Sequence, residues 1–463
     1  MPVDLVITLD RTSSVTLAQQ IAVAVRGAVG DRRLAPGDRL PSSRALAAEL
    51  GVARMVVQQA YDQVVAEGWA ESRRGAGTYI GNVATLTPPP ARSPVRAAAT
   101  EGAKSISLRP GVPWGERTAS AAWRRAWRTV SATPMPAGYP DAQGLPGLRD
   151  QVCAYLGRAR GIATTPDELV ITSGSAHGFR LLLDSLAEPS WRVAVENPGY
   201  RSAVAAVHAL RLALVDVPVD EHGLDVDALA ATTPAPQAVY VTPSHQHPTG
   251  VPMSASRRHA LVAWARRTGG VVVEDDYDSE FRYDVAPLPA LAQLDPERVV
   301  YLGTSSKTFG PGLRLGWLRA CAARVEQIVA HREAVTDLPS WPVQVAYSSL
   351  LAEGYVDVVV RRERRRYADR SARVCRALEP FGAVTGRNAG LHVTLLLAPG
   401  VDVAVRDEAR EAGVEVPILA EFRRSVRGPG GLVVGYGGVS DRELDRALDV
   451  LTSALARRTV DRT

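Results

Sequence analysis

Six short apolar runs between residues 168 and 318, separated by helical stretches and closed by Gly-, Pro- or Ser-rich loops, restrict the fold of this chain more than any other feature. They are Glu168 to Thr172, Arg192 to Glu196, Ala238 to Thr242, Val271 to Asp275, Val299 to Leu302 and Arg314 to Leu318. Runs of this kind read as buried strands, and their regular alternation with helices predicts a mostly parallel sheet covered on both faces. After Val343 an Arg-rich helical region leads to a smaller α+β portion, with strands near Leu391 to Leu397, Val414 to Pro417 and Leu432 to Tyr436.

The loops at the strand ends carry the chemistry. Thr172 leads into Ser173-Gly174-Ser175-Ala176 and then a helix with Phe179, Leu182, Leu183 and Leu186 on one face. A strand, a glycine turn and a helix N-terminus make a phosphate cradle from free backbone N–H groups and the helix dipole. Asn197-Pro198-Gly199-Tyr200, Pro243 to Gly250 and Glu274 to Tyr283 follow three of the other strands. Tyr301 to Gly316 contains Lys307, one of only two lysines, with Lys104, among 54 Lys plus Arg. Arg stays protonated at working pH, whereas a desolvated Lys becomes a nucleophile able to form a Schiff base with an aldehyde.

Toward the N-terminus, Leu17, Ile21, Val25 and Val29 keep helical spacing. A turn-rich break from Leu34 to Pro41 precedes a helix over Ser42 to Leu50. Gly51 ends it, and a second helix runs from about Val52 to Glu67. Ala70 to Ile80 reads as two short strands around a basic glycine turn. The pattern is a helix-turn-helix followed by a wing. Its Gly37-Asp38-Arg39-Leu40-Pro41-Ser42-Ser43-Arg44, Ala45 to Val52, Ala60-Tyr61 and Gly75 to Tyr79 resemble the GntR-type winged helix-turn-helix. That resemblance implies promoter double-stranded DNA as partner. The recognition helix would offer Arg54, Gln58 and Gln59 to base edges or phosphate, Arg44 would grip the backbone, and Arg73 and Arg74 on the Gly75/Gly77 turn would approach a groove. Where the family has Ser-Arg-x-Thr, this chain has Ala53-Arg54-Met55-Val56, so a capping hydroxyl is missing.

Length and charge agree with this division. At 463 residues the chain is long enough for two or three domains, and a net charge of +5 permits a nucleic-acid partner. The expected organisation is a DNA-binding head over 1–81, a Pro- and Ala-rich linker over 82–107 and a large body over 108–463. The N-terminus lacks a basic region followed by an apolar core, no apolar stretch is long enough to span a bilayer, and the expected location is the cytoplasm. Cys153, Cys321 and Cys375 are odd in number and form no CxxC pair, which indicates neither a disulfide framework nor a cysteine metal site.

The body resembles the fold-type I, class I aminotransferases, and the whole chain resembles the MocR/GabR-type transcriptional regulators. The resemblance implies pyridoxal 5'-phosphate as cofactor. Lys307 would bind it covalently, Asp275 would pair with the pyridinium nitrogen, Tyr277 would reach the ring oxygen and Tyr200 would stack on the ring. Ser175, Ala176, Thr304, Ser306 and Arg314 would hold the phosphate. His247 stands where these enzymes have an asparagine that contacts the ring oxygen. Val433 stands where they have the arginine that grips a substrate carboxylate, a role open to Arg201, Arg423, Arg424 or Arg427. The missing clamp points to the PdxR-like subgroup, which senses pyridoxal phosphate itself and controls vitamin B6 synthesis. The alternatives are an amino-acid-sensing, GabR-like regulator and a working aminotransferase with an appended head. A homodimer is expected, because fold-type I sites are built at a subunit interface.

Overall fold

The computed structural model describes residues 7–73, 76–82, 105–115, 120–283, 288–425 and 428–460, with side chains to 458. Two compact units divide near residue 100. Most of the expected linker, from 83 to 104, lies outside the described residues.

In the first unit, helix α1 (Leu17–Gly30) starts on a reciprocal cap, Gln19 N–H donating to Thr16 Oγ1 and Thr16 N–H to Gln19 Oε1. Helix α2 (Ser43–Leu50) starts on Ser42, whose hydroxyl accepts from Ala45 N–H, and stops at Gly51. Helix α3 (Arg54–Ala66) begins after Ala53, whose extended backbone has no side-chain cap to offer. Ile21, Val25, Leu46, Val57, Ala60 and Val64 are completely buried and form the core. Strands β1 (Ala70–Arg73) and β2 (Gly77–Ile80) pair antiparallel, with Arg73 opposite Gly77.

The second unit opens on β3 (Ile106–Ser107), at the end of the segment expected as linker. Eight strands then build one sheet: β4 (Leu169–Thr172), β5 (Arg192–Asn197), β6 (Ala213–Asp220), β7 (Gly223–Leu224), β8 (Ala238–Val241), β9 (Val271–Asp276), β10 (Val299–Thr304) and β11 (Gly316–Arg319). Their order is β4-β11-β10-β9-β8-β5-β6-β7. Strands β6, β5, β8, β9 and β10 are parallel, while β11 lies antiparallel between β10 and β4. The strand expected from Arg314 therefore begins two residues later, and Arg314 itself sits in a left-handed turn. Strand β6 has no counterpart among the expected strands; its Asp216, Pro218 and Asp220 interrupt the apolar run, and burial alternates along it.

Successive strand residues enter cores on opposite faces. Leu169, Ile171, Val272, Val299 and Tyr301 pack on one side, and Val170, Val271, Val273, Val300 and Leu302 on the other. The remaining strands, β12 (Val384–Thr385), β13 (His392–Leu397), β14 (Val414–Glu415) and β15 (Gly430–Gly435), form the smaller C-terminal portion. There β12, β13 and β15 are antiparallel, and β14 pairs with β3. Among the described residues no helix is long and apolar enough to cross a membrane.

The bare start of α3 gives a direct test. Ala53→Ser supplies the missing acceptor at a residue already extended, and should stabilise the first turn by about 1 kcal/mol. Hydrogen exchange of amides at the start of α3 is expected to slow by about fivefold, measured by mass spectrometry on the full chain.

Candidate functional site

The carboxyl ends of the parallel strands open onto a cavity of about 370 Å³. All the residues expected around the cofactor line it: Ser175, Ala176, Tyr200, His247, Asp275, Tyr277, Thr304, Ser306, Lys307 and Arg314. The topology explains the convergence. In a parallel sheet every strand delivers its following loop to the same edge, so residues more than 100 positions apart meet.

One end of the cavity is built for an anion. The helix Ser175–Leu186 points its first turn there, and its hydrogen bonding starts only with Gly178 N–H on Gly174 carbonyl. A methyl group on Gly174 would stand 3.7 Å from both Arg314 Nη1 and Thr304 Oγ1, so the guanidinium, the hydroxyl and the helix start share one corner. Thr304 Oγ1 donates to Ser306 Oγ at 2.9 Å and accepts from Ser306 N–H. Arg314 holds φ +55°, a left-handed backbone conformation unfavourable for a residue with a side chain.

Asp275 lines the same cavity. Tyr240 OH donates to its Oδ2, while its Oδ1 is buried with no partner among the described residues. Burial pushes this carboxyl up to about 6, against the opposing pull of the Tyr240 hydrogen bond. The neighbouring Asp276 points to the other face, where Arg160 Nε donates to its Oδ2 at 2.5 Å and Tyr301 OH at 2.7 Å. Glu274 faces the same way as Asp276 and caps the helix Leu291–Leu294 through the Leu291 and Ala292 N–H groups. An orphaned carboxylate oxygen in this position fits a protonated pyridine nitrogen.

Lys307 is partly buried and donates to the Gly111 carbonyl at 2.6 Å. Burial lowers its pKa, with Asp278 and Asp275 opposing, which favours the neutral, nucleophilic amine. Gly111 (φ +72°) leaves room for it, since a β-carbon there would lie 2.9 Å from Nζ. Tyr277 OH donates to the His245 carbonyl at 2.9 Å, and its ring lies under Nζ at 5.7 Å. His247 stands edge-on to Tyr200, Tyr277 and Phe422, and burial drives its pKa down to about 3, so it is a neutral ring at physiological pH. Amine, orphaned carboxylate, aromatic walls and anion corner together fit pyridoxal phosphate, one group to each functional part of the cofactor.

The candidate carboxylate clamps separate. Arg424 is spent on Asp216 and the Glu196 carbonyl, and Arg423 on the carbonyls of Ser425 and Pro429. Arg427 lies outside the described residues. Arg201 lines the cavity, beside Arg109, which the sequence reading missed because it lies far upstream of the strand-end loops. Val433 is buried in β15 and does not line the cavity.

On the head, Arg44, Arg54, Gln58, Gln59, Arg73 and Gly77 are all exposed or partly so. Arg54 Nε donates to Ser43 Oγ, Gln58 is held by Asp62, and the Arg73 guanidinium stacks on Tyr79 at 4.6 Å. Arg74 and Gly75 lie outside the described residues. Met55, 70% exposed at the start of α3, and Arg39, packed at Gly77, share this surface without having been singled out by the sequence reading.

The raised Asp275 carboxyl has a measurable consequence. A free aspartate titrates near 3.9, so the cofactor-free folded chain holds more protons than the unfolded chain between about pH 4 and 6. This residue's contribution to stability therefore falls as pH rises through that window. Asp275→Asn should show a flatter decline in Tm than the parent over the window, read by calorimetry of the cofactor-free protein.

Comparison with known proteins accords with both units. Residues 17–80 match the model of bacterial regulatory proteins of the gntR family, and residues 104–451 that of aminotransferase class I and II. The HTH-type pyridoxine biosynthesis transcriptional regulator PdxR of Corynebacterium glutamicum is 35% identical, over 98% of this chain and 100% of its own. The probable rhizopine catabolism regulatory protein MocR of Rhizobium meliloti is 29% identical, over 97% and 95%. An archaeal alanine:glyoxylate aminotransferase superposes with a TM-score of 0.71 at 26% identity, covering 77% of this chain and 92% of its own. LysN of Thermus thermophilus, an α-aminoadipate aminotransferase complexed with N-(5'-phosphopyridoxyl)-L-leucine, gives 0.69 at 26%, covering 76% and 92%. With a GntR-type head on an aminotransferase body, and relatives of the same build along nearly its whole length, this chain belongs to the MocR-type transcriptional regulators.

Proposed function

We propose that this protein binds promoter DNA through its winged head and holds pyridoxal phosphate in the body cavity, reporting on that cofactor to control vitamin B6 synthesis genes. The observation that carries the reading is the meeting of Lys307, the unpartnered Asp275 oxygen and the anion corner in one cavity. The full-length likeness to PdxR supports vitamin B6 synthesis as the process under control. Bound pyridoxal phosphate supplies an aldehyde and a nitrogen heterocycle. Around it, Lys307 would hold the ligand covalently, Asp275 would accept from the ring nitrogen, Tyr200 and His247 would flank the ring, and Arg314 with Ser175, Ala176, Thr304 and Ser306 would take the phosphate.

Sensing is favoured over turnover by Val433, which leaves β15 without the guanidinium that an aminotransferase presents to a substrate carboxylate. A second reading, response to an amino acid, is supported by Arg109 and Arg201 at the cavity, two cations in addition to Arg314. A dimer in the cytoplasm completes the proposal. Met135 and Tyr139, 81% and 84% exposed, are large apolar groups suited to burial by a second copy.

Protein loaded with pyridoxal phosphate is expected to show the visible absorption of a lysine-bound cofactor, and Lys307→Ala to lose it; a band that survives the substitution rejects the assignment. For the head, Arg54→Ala and Arg73→Ala should each weaken promoter binding and reduce the slope of log affinity against log salt by about one. The deciding measurement is a promoter titration with and without pyridoxal phosphate, then with amino acids. A change in affinity with amino acids alone transfers the reading to the second effector class. Steady transamination across donor and keto-acid pairs would identify an enzyme instead.

A further inference from the structure

The head carries on its surface a side chain whose chemistry the proposed DNA contacts leave unused. Met55, Gln58, Gln59 and Asp62 are exposed along α3, spaced three and four apart and so stacked on one face of the helix. Met55 is 70% exposed, while Val57, Ala60, Tyr61 and Val64 turn into the core. In a helix-turn-helix the second helix lies in the major groove, and its N-terminal residues meet the base edges. Met55, the second residue of α3, stands in that first turn.

The hydrogen bonds around it leave Met55 clear. Arg54, one position earlier and about 100° round the helix, has Nε donating to Ser43 Oγ at 3.2 Å, which draws its guanidinium toward the start of α2. Gln58 Nε2 donates to Asp62 Oδ1 at 2.9 Å, so these two side chains satisfy each other within the helix. The Asp62 carboxylate also repels phosphate from the middle of α3. A duplex is therefore favoured at the N-terminal end, where Arg44 and Arg54 supply positive charge. Ala53, just ahead of them, adds only a methyl group and no obstacle.

The groups that base pairs present in the major groove are hydrogen-bond donors and acceptors, with one apolar exception, the C5-methyl of thymine. A methionine thioether has no donor and only a weak acceptor, so that methyl is the edge group it complements. Its unbranched chain adapts its shape to such a contact. We propose that Met55 is a specificity-determining residue of the head, packing on the C5-methyl group of a thymine in the bound promoter. The inference rests on the reading that the head binds promoter DNA, and adds which base one position of α3 selects and through which group.

The test enriches duplexes from a randomised pool with the full-length protein, in the presence and in the absence of pyridoxal phosphate. Each thymidine of an enriched duplex is then replaced in turn by 2'-deoxyuridine, which removes the methyl group alone. Loss of the contacted methyl should lower the parent's affinity by about fourfold, the effect of returning one such group to water. Met55→Ala, at an exposed helical position that alanine suits, should weaken binding to the unmodified duplex to the same extent and no longer respond to that deoxyuridine. Met55→Leu should keep the response. Because the contact is apolar, Met55→Ala should leave the slope of log affinity against log salt unchanged, unlike Arg54→Ala. A parent that responds to no deoxyuridine, or a Met55→Ala variant that responds to the same one, overturns the inference and leaves DNA binding by the head intact. A pool that yields no enriched duplex rejects that reading of the head and the inference with it.

Discussion

Three consecutive buried carboxylates at the end of β9, Glu274, Asp275 and Asp276, set the terms for the body. An isolated buried charge is expensive, so each must find a partner or hold a proton. The pleat divides them. Glu274 and Asp276 turn to the face carrying Arg160, Tyr301 and the start of the helix Leu291–Leu294, where they tie the sheet to its helical cover. Asp275 turns to the other face and ends at the cavity with one oxygen unsatisfied. The same alternation that seals a parallel sheet thus leaves a single acid of the three facing the site.

The other residues lining the cavity complete an electrostatic division of labour. Lys307 sits where burial favours the neutral amine, and Arg314 sits where an exposed guanidinium and a helix N-terminus favour an anion. His247 is buried among aromatic rings and neutral, so it serves as a wall and not as a cation. An aldehyde, a ring nitrogen and a phosphate would each find a matched group among these residues. The MocR-type build places this cavity on the same chain as a DNA-binding head, joined through a segment rich in proline and alanine.

Much of this was legible in the chain. The head was readable because its signals are local: the helical spacing of Leu17, Ile21, Val25 and Val29, the turn before α2, Gly51 after it and the glycine turn of the wing act within a few residues. The strands carrying Asp275 and leading to Lys307 were readable because strands buried on both faces are nearly unbroken apolar runs. Strand β6 was not, since three polar or cyclic residues break its pattern, and the left-handed turn at Arg314 was not, since nothing in the residue itself asks for φ above zero. Arg109 was invisible for another reason: it lies far upstream of the strand-end loops whose cavity it lines, and no spacing rule links it to them.

By itself, then, the sequence determined the two-part plan, the parallel sheet and the kind of DNA-binding head, and it singled out Lys307 and Asp275. Tertiary structure decided that Asp275 and not Asp276 faces the cavity, and which arginines line it. The division has a physical cause. Strand and helix signals depend on neighbours within one or two turns, whereas the choice between Asp275 and Asp276 depends on strand register against β8 and β10. One step of pleat exchanges a site residue for half of a buried ion pair.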